Sequence, residues 1–226
     1  MTITPQPKER PILFSAPMVR AILEDRKTVT RREVKKQAAL DCLAAGFEPA
    51  FLTLPGNADL CPYGKPGDRL WVRETWYCDH SEVQKGPYLQ PADMVDLDKA
   101  REDGDLVYAA DGLNPYEQDH PTWKPSIHTP RWVSRILLEI TDVRVERLQD
   151  GEGETAFESR YIAEGINRIH QGDGDYAFHP FKSEPGAGSW TDPFDAWREL
   201  WVGINGAESW NANPWVWVVE FKRVMP

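Results

Sequence analysis

The sequence is poor in cysteine, has a deficit of basic charge and lacks any long apolar run. Its three cysteines, Cys42, Cys61 and Cys78, are too few and too irregularly spaced for a disulfide framework or a structural zinc site. The net charge of −10 argues against broad affinity for duplex DNA, which depends on clustered Lys and Arg. Since no apolar stretch reaches about eighteen residues and no basic-then-apolar leader is present, we expect a soluble cytoplasmic protein with no membrane partner.

One basic segment stands out against this acidic background. Between Arg20 and Lys36 the chain carries seven basic residues and only three acidic ones. A local excess of positive charge can bind a small anionic or nucleotide ligand without forming a general nucleic-acid surface.

Hydrophobic periodicity and turn residues predict an α+β fold in one domain of residues 1–226. About six short strands and three helices alternate without a βαβ repeat, which argues against a doubly wound sheet. The nearly continuous apolar run at 214–221 predicts a central strand covered on both sides. Insertions are expected at about 79–130 and 166–190. The other predicted strands are at 12–14, 28–30, 69–76 and 106–110, with two more within 133–148. The three helices are at 16–26, at 155–164 and from Asp192-Pro193 onward, and a further short helix is expected over 34–45.

The basic segment and the helix before it carry a resemblance to a known family. The run Asp25-Arg26-Lys27-Thr28-Val29-Thr30-Arg31-Arg32 resembles the signature of the ASCH domain, a branch of the PUA-like superfamily. In that signature a Lys, a Thr or Glu three residues later and an Arg five residues later line the ligand cleft. Here these residues are Lys27, Thr30 and Arg32. The family usually has Gly where this chain has Asp25.

Three further stretches follow in the order that the family shows, and they widen the resemblance. They are the turn Gly67-Asp68, the helix end Ala163-Glu164-Gly165 and the final strand from Val218 to Lys222. The match is closest to the larger ASCH-like proteins of phages and prophages. It implies a PUA-like small β-barrel of about six strands, with flanking helices and long loop insertions.

The same resemblance implies a catalytic set. A compact bacterial ASCH enzyme that hydrolyses the amide of N4-acetylcytidine is similar at three positions, which implies Thr30 as nucleophile, Lys27 as base and Glu164 as acid or proton relay. Chemistry sets a separate requirement, because a Thr hydroxyl is inert at its free pKa. Lys can activate it only if burial or neighbouring cations lower the pKa of the amine. The neighbours that could do so are Arg26, Arg31 and Arg32.

Aromatic residues beside cations form a second candidate feature, since such pairs stack bases in flipped-base and single-strand recognition. Of the ten tryptophans, Trp76 and Trp190 are predicted to serve as stacking platforms. Trp197, Trp201, Trp215 and Trp217 lie at core spacing and are predicted to pack. The full predicted ligand-binding set is Arg26, Arg31, Arg32, Arg73, Glu74, Trp76 and Trp190.

No metal or cofactor is predicted, and four functions stay open. Cys78-Asp79-His80 has metal-ligand residue types but no second cluster at metal-site spacing, and the sequence contains no phosphate-binding Gly loop. The pocket is predicted to take a nucleoside or nucleotide, or single-stranded RNA. The alternatives are an amidohydrolase, a non-catalytic binding module, a ribonuclease, and a phage protein-interaction factor that uses the insertions.

Overall fold

The computed structural model describes residues 6–113, 122–184 and 186–225. The described residues form five α-helices and nine strands. The helices are α1 (Ala16–Leu23), α2 (Gln37–Ala44), α3 (Leu97–Glu102), α4 (Pro193–Asn205) and α5 (Ala207–Asn211). The strands are β1 (Glu9–Leu13), β2 (Val29–Glu33), β3 (Arg69–Arg73), β4 (Trp76–Cys78), β5 (Leu106–Tyr108), β6 (Leu137–Arg147), β7 (Asn167–Gly172), β8 (Asp175–His179) and β9 (Trp215–Val224).

The α+β class is confirmed, but the strands of the described residues do not close into the predicted small β-barrel. The main sheet has five strands in the order β1-β3-β6-β9-β2, which leaves β1 and β2 as the two edges. Among the described residues, β4-β5 and β7-β8 make two further two-stranded sheets. Strand β9 lies between β6 and β2, as its apolar run predicts, and Val216 to Val219 are all buried.

The chain divides into two compact units. Unit 1 comprises Met1–Lys8, Ala21–Arg69 and Glu139–Arg223, and unit 2 comprises Glu9–Arg20, Leu70–Leu138 and Val224–Pro226. The expectation of one domain over residues 1–226 with two insertions stays a prediction. Residues 114–121 and 185, which fall within the two predicted insertions, lie outside the described residues.

The core of unit 1 is aromatic and holds the back of strand β2. Helix α4 begins at Pro193, with the Asp192 carboxylate accepting a hydrogen bond from the Phe194 N–H, and it buries Trp197 and Trp201 as predicted. The Tyr161 ring stacks on the Trp197 ring at a centroid distance of 5.5 Å. These large rings make a rigid wall, because cores of this kind are close-packed.

Unit 2 has its own core, built largely from the first predicted insertion. Strands β4 and β5 pair antiparallel, with Trp76 opposite Tyr108. Trp76, Cys78 and Tyr108 are buried together with Val83, Met94 and Ala100. Residues 79–104 therefore supply core side chains rather than a structureless loop.

Three local predictions are wrong. Residues 155–164 form turns instead of a helix, because the Tyr161 hydroxyl donates to the Leu148 carbonyl at 3.1 Å and accepts from the Gly151 N–H. The expected loop at 166–190 contains the hairpin β7-β8. The two strands expected within 133–148 are the single strand β6, whose buried face changes phase near Thr141.

The junction between α1 and β2 brings the basic segment into place. The helix ends at Leu23, and the backbone N–H groups of Arg26 and Lys27 both donate to the Ala21 carbonyl, at 2.8 and 3.0 Å. Asp25 has a φ of 55°, a left-handed conformation that glycine adopts most easily and Asp tolerates. Among the described residues, no helix is both long enough and apolar enough to span a bilayer.

Candidate functional site

Strand β2 carries three of the predicted site residues, Thr30, Arg31 and Arg32. It pairs antiparallel with β9 in an unbroken register, with Thr30 opposite Val219 and Arg32 opposite Trp217. A regular strand alternates its side chains, so Thr30 and Arg32 share one face, as expected, while Arg31 lies on the other. The strand is well covered, because Val29, Thr30 and Arg31 are all buried.

A tight turn brings Glu164 to the start of this strand. Residues 27 and 164 form an isolated antiparallel bridge, and the Ala163 carbonyl accepts hydrogen bonds from the N–H groups of Thr28 and Val29. Gly165 follows with a φ of 94°. A Cβ at this position would lie 2.8 Å from the Ala21 Cβ, so only glycine lets the turn pass α1 this closely.

Lys27, Arg31 and Glu164 form a cluster that we call the buried ion cluster. The Lys27 Nζ lies 2.6 Å from Glu164 Oε2, and Arg31 Nη1 lies 3.0 Å from Glu164 Oε1. Lys27 Nζ also donates to the carbonyls of Val29, at 2.8 Å, and Glu164, at 3.0 Å. Relative exposure is 2% for Lys27, 2% for Glu164 and 4% for Arg31. Both oxygens of the carboxylate are therefore held by buried cations.

Burial controls the electrostatics of the cluster. It lowers the pKa of Lys27, although the charge of Glu164 and its hydrogen bond oppose this, and the charges of Arg32 and Arg31 lower it further. Burial also lowers the pKa of Arg32, against the influence of Tyr63 and Glu164. The Lys27 amine is therefore easier to deprotonate than an exposed lysine, which is the property that the predicted base requires.

Arg31 has a positioning role in this structure. Its guanidinium carbon lies 4.9 Å from the centroid of the Tyr161 ring and 5.8 Å from that of Trp197. Its Nη2 lies 3.6 Å from Glu146 Oε2. These contacts keep Arg31 on the aromatic side of β2, away from the face of Thr30. The predicted ligand contact of Arg31 is therefore replaced by a contact that orients Glu164.

Two other predicted ligand residues of unit 1 have their polar groups engaged. Arg26 pairs with Glu24 at 2.7 Å and donates to the Gly165 carbonyl at 2.9 Å, which ties it to the turn behind the ion cluster. The half-buried Trp190 donates its indole N–H to Glu199 at 2.6 Å. The structure thus brings Arg26 next to the cluster and anchors Trp190 by its ring nitrogen.

The remaining predicted ligand residues lie in unit 2. The prediction of Trp76 as a stacking platform is wrong: its side chain is 0% exposed and makes edge contacts with the rings of Tyr88 and Trp132. Glu74 is buried and its carboxylate is held by Arg135 at 3.0 and 3.1 Å. Arg73 is half-buried, with its guanidinium carbon 5.7 Å from the centroid of the Trp71 ring.

Tyr63 interacts electrostatically with Arg32, and sequence reasoning missed it. The pKa of its hydroxyl is raised by burial and lowered by the charge of Arg32, while Tyr63 in turn raises the pKa of Arg32. In the sequence Tyr63 appears only as one member of a turn-forming run, Pro62-Tyr63-Gly64, and no pattern links it to Arg32. An interaction between positions 32 and 63 depends on tertiary folding alone.

Within the described ranges, no group of three or more His, Cys, Asp or Glu side chains is arranged to hold a metal ion. Comparisons with protein-family models, curated proteins and solved structures found no significant match.

Proposed function

We propose that unit 1 binds a nucleoside-type ligand at Lys27, Thr30 and Arg32 and hydrolyses an amide on it, of the N4-acylcytidine type. The observation that carries this proposal is the 2.6 Å contact between Lys27 Nζ and Glu164 Oε2. These residues are 137 positions apart, and they meet in an almost fully buried place. The resemblance to the ASCH domain supports the same assignment and the finer PUA-like fold.

The chemistry needs a base, a nucleophile and a proton donor. Burial lowers the pKa of Lys27, so a proton can pass along the 2.6 Å hydrogen bond to Glu164 and leave a neutral amine. That amine removes the proton from the Thr30 hydroxyl, and the oxygen attacks the amide carbonyl carbon. Arg32, on the same face as Thr30, stabilises the negative charge on the carbonyl oxygen.

The second half of the reaction regenerates the enzyme. The carbon–nitrogen bond breaks, and Glu164 returns its proton to the departing amino group of the nucleoside. This leaves an ester on Thr30, which water hydrolyses to release the carboxylic acid. Lys27, which is now protonated, first passes a proton to Glu164 again, and its neutral amine removes a proton from the attacking water. Glu164 then protonates the departing Thr30 oxygen, which restores the Thr30 hydroxyl and the starting Lys27–Glu164 ion pair.

A second candidate function is binding without turnover, and one observation favours it. The Lys27 ammonium has three N–H donors, and three acceptors lie within 3.0 Å of its nitrogen. Such a set stabilises the charged form, which cannot act as a base. In this case Lys27 and Glu164 hold β2 in shape, and Thr30 and Arg32 contact the ligand.

A pair of isosteric variants separates the two candidates. Thr30→Val keeps the shape of the side chain and removes the nucleophile, while Thr28→Val makes the same change at an exposed position two residues earlier. With N4-acetylcytidine as substrate and mass spectrometry as readout, we expect Thr30→Val to lose turnover by about three orders of magnitude or more. Ligand affinity should stay within a few-fold, and Thr28→Val should behave as wild type.

Each other outcome is informative. Full turnover by Thr30→Val would remove Thr30 as nucleophile. Binding without turnover by the wild-type protein, weakened by Lys27→Met, would establish the second candidate. If the protein neither binds nor hydrolyses any N4-acylated cytidine, both candidates are refuted.

A further inference from the structure

Unit 2 contains a cleft that lies outside the site proposed above. Its volume is about 1200 Å³, somewhat larger than the roughly 300–1,000 Å³ of typical small-molecule sites. Arg101 of α3 lines it together with Arg131, Trp132 and Arg135 from the segment before β6. We call it the arginine cleft. Three guanidinium groups therefore line one cavity in a protein of net charge −10.

Arg135 lines this cleft, and among the described residues a ring covers one face of its guanidinium. Its guanidinium carbon lies 4.0 Å from the centroid of the Tyr108 ring, so the ring covers one face. Two carboxylates bind its edges, Glu74 at 3.0 and 3.1 Å and Asp111 at 2.7 and 2.9 Å. The side chain is nevertheless 17% exposed. What remains for a ligand is chiefly the second planar face, and guanidinium planes stack well on aromatic rings and bases.

The stacking surface is rigid, as a binding platform must be. Tyr108 is buried and donates its hydroxyl hydrogen to the Val133 carbonyl at 2.6 Å. Arg135 is fixed by two bidentate ion pairs, which hold a guanidinium in a defined plane. A planar ligand that stacks here therefore loses little affinity to reorganisation of the protein.

The other two arginines have N–H donors to spare. Arg101 uses its Nη1 for Asp98 at 2.6 Å and its Nε for the Tyr108 hydroxyl at 3.3 Å. Arg131 uses its Nε for Glu9 at 3.0 Å. Each guanidinium carries five N–H groups, so each retains donors for an anionic oxygen.

The acidic residues of the wall limit how much negative charge the cleft accepts. Asp96 accepts a hydrogen bond from the Lys99 N–H at the start of α3, and Asp98 pairs with Arg101 from a side chain that is 89% exposed. An exposed pair of this kind contributes little and can be replaced by a ligand anion. A single phosphate or carboxylate is therefore a better match than a polyanion.

We propose that the arginine cleft binds a planar heteroaromatic ring carrying one anionic group, as in a nucleoside monophosphate. The ring stacks on the second planar face of Arg135, and the anion binds Arg101 and Arg131. The same unit of ring and phosphate occurs in a free nucleotide and within a single strand of RNA. The cleft shares no residue with the site around Lys27.

Isothermal titration calorimetry of the full chain tests this proposal. The probes are adenosine 5′-monophosphate, adenosine, inorganic phosphate and a five-residue oligoadenylate. We expect the monophosphate to bind at least tenfold more tightly than adenosine or phosphate. The double variant Arg101→Gln/Arg131→Gln should bind the monophosphate at least tenfold more weakly than the wild type and bind adenosine with unchanged affinity. Tighter binding of the monophosphate would identify a free nucleotide as the ligand, and tighter binding of the oligoadenylate would identify single-stranded RNA.

A matched control shows that the effect is specific to the arginines of the cleft. Arg198→Gln removes an arginine that pairs with Asp195 three residues earlier on α4, as Arg101 pairs with Asp98 on α3, and should leave binding unchanged. The double variant leaves every residue of the proposed amidase site in place, so a loss of nucleotide binding in it assigns that binding to this cleft. Absence of binding to both nucleotide probes, equal affinity for phosphate and monophosphate, or undiminished binding by the folded double variant would overturn the proposal.

Discussion

Each unit of this chain has a buried carboxylate held by a cation, and the two pairs differ in which cation it is. In unit 1 Glu164 contacts Lys27 and Arg31, at 2.6 and 3.0 Å. In unit 2 Glu74 contacts Arg135, which is also shared with Asp111. Burial lowers the pKa of Lys27 and raises the pKa of Glu74.

The difference decides which pair can move a proton. A guanidinium is protonated at any relevant pH, whereas a buried ammonium can give up its proton. The Lys27–Glu164 pair is therefore suited to acid–base chemistry, and the Glu74–Arg135 pair is suited to holding a guanidinium plane in place. The same motif, a buried ion pair, supports a proposed reaction in one unit and a proposed binding platform in the other.

Removing the carboxylates tests this comparison most strongly. Glu164→Gln leaves two buried cations without their common partner, and we expect a loss of about 3–5 kcal/mol in the free energy of unfolding. Glu74→Gln leaves Arg135 paired with Asp111, so we expect about 1.5–3 kcal/mol, the contribution of a hydrogen bond to a charged group. Urea unfolding followed by tryptophan fluorescence measures both.

The double variant Lys27→Met/Glu164→Gln sharpens the result, because it removes the stranded ammonium. The double variant should lose less free energy of unfolding than the two single variants lose in sum, because residues in contact are coupled. Equal losses for Glu164→Gln and Glu74→Gln would contradict the idea that the unit 1 carboxylate neutralises two cations.

A pair of glycine substitutions tests how closely the turn at Glu164 must approach α1. Gly165→Ala places a Cβ 2.8 Å from the Ala21 Cβ at a φ of 94°. Backbone strain and overpacking should together lower the free energy of unfolding by about 2–4 kcal/mol. Gly172 has a similar φ of 98°, and a Cβ added there would have nothing within 4 Å. Gly172→Ala should therefore lower the free energy of unfolding by only about 1–2 kcal/mol.

Thermal or urea unfolding of the two glycine variants gives the difference directly. If Gly172→Ala were as destabilised as Gly165→Ala, strain alone would explain both losses. The close packing of the turn would then not be what holds Glu164 against Lys27.

The smallest expected effects are in the pH dependence of stability, and they have opposite signs. Because the folded pKa of Lys27 is lowered, the unfolded chain binds more protons between that value and 10.5, and the free energy of unfolding rises with pH there. Because the folded pKa of Glu74 is raised, the folded chain binds more protons just above 4.5, and the free energy of unfolding falls as pH rises through that window.

Each slope is at most about 1.4 kcal/mol per pH unit for one proton. Urea unfolding across pH for the wild type, Lys27→Met and Glu74→Gln measures them. Lys27→Met should lose only the alkaline slope, and Glu74→Gln only the acidic one. An alkaline slope that persists in Lys27→Met would assign it to another group.

Elements with strong local patterns were predictable from sequence, and elements held by distant contacts were not. The apolar run of β9 and the capped, amphipathic α4 were predicted because strand and helix periodicity are local properties. The hairpin β7-β8 was missed because its Gly and Asp content is typical of loops. The turns at 155–164 were missed because Tyr161 bonds to backbone groups at 148 and 151 rather than continuing a helix.

The sequence by itself determined the α+β class, the central position of β9, and the placement of Thr30 and Arg32 on one face of a strand, because each follows from the spacing of nearby residues. Tertiary structure decided that Glu164 meets both Lys27 and Arg31, that Trp76 is core, and that Arg135 stacks on Tyr108 beside a cleft. These arrangements join residues that are far apart in the chain, and burial, which shifts the pKa values of Lys27 and Glu74, exists only in the folded protein.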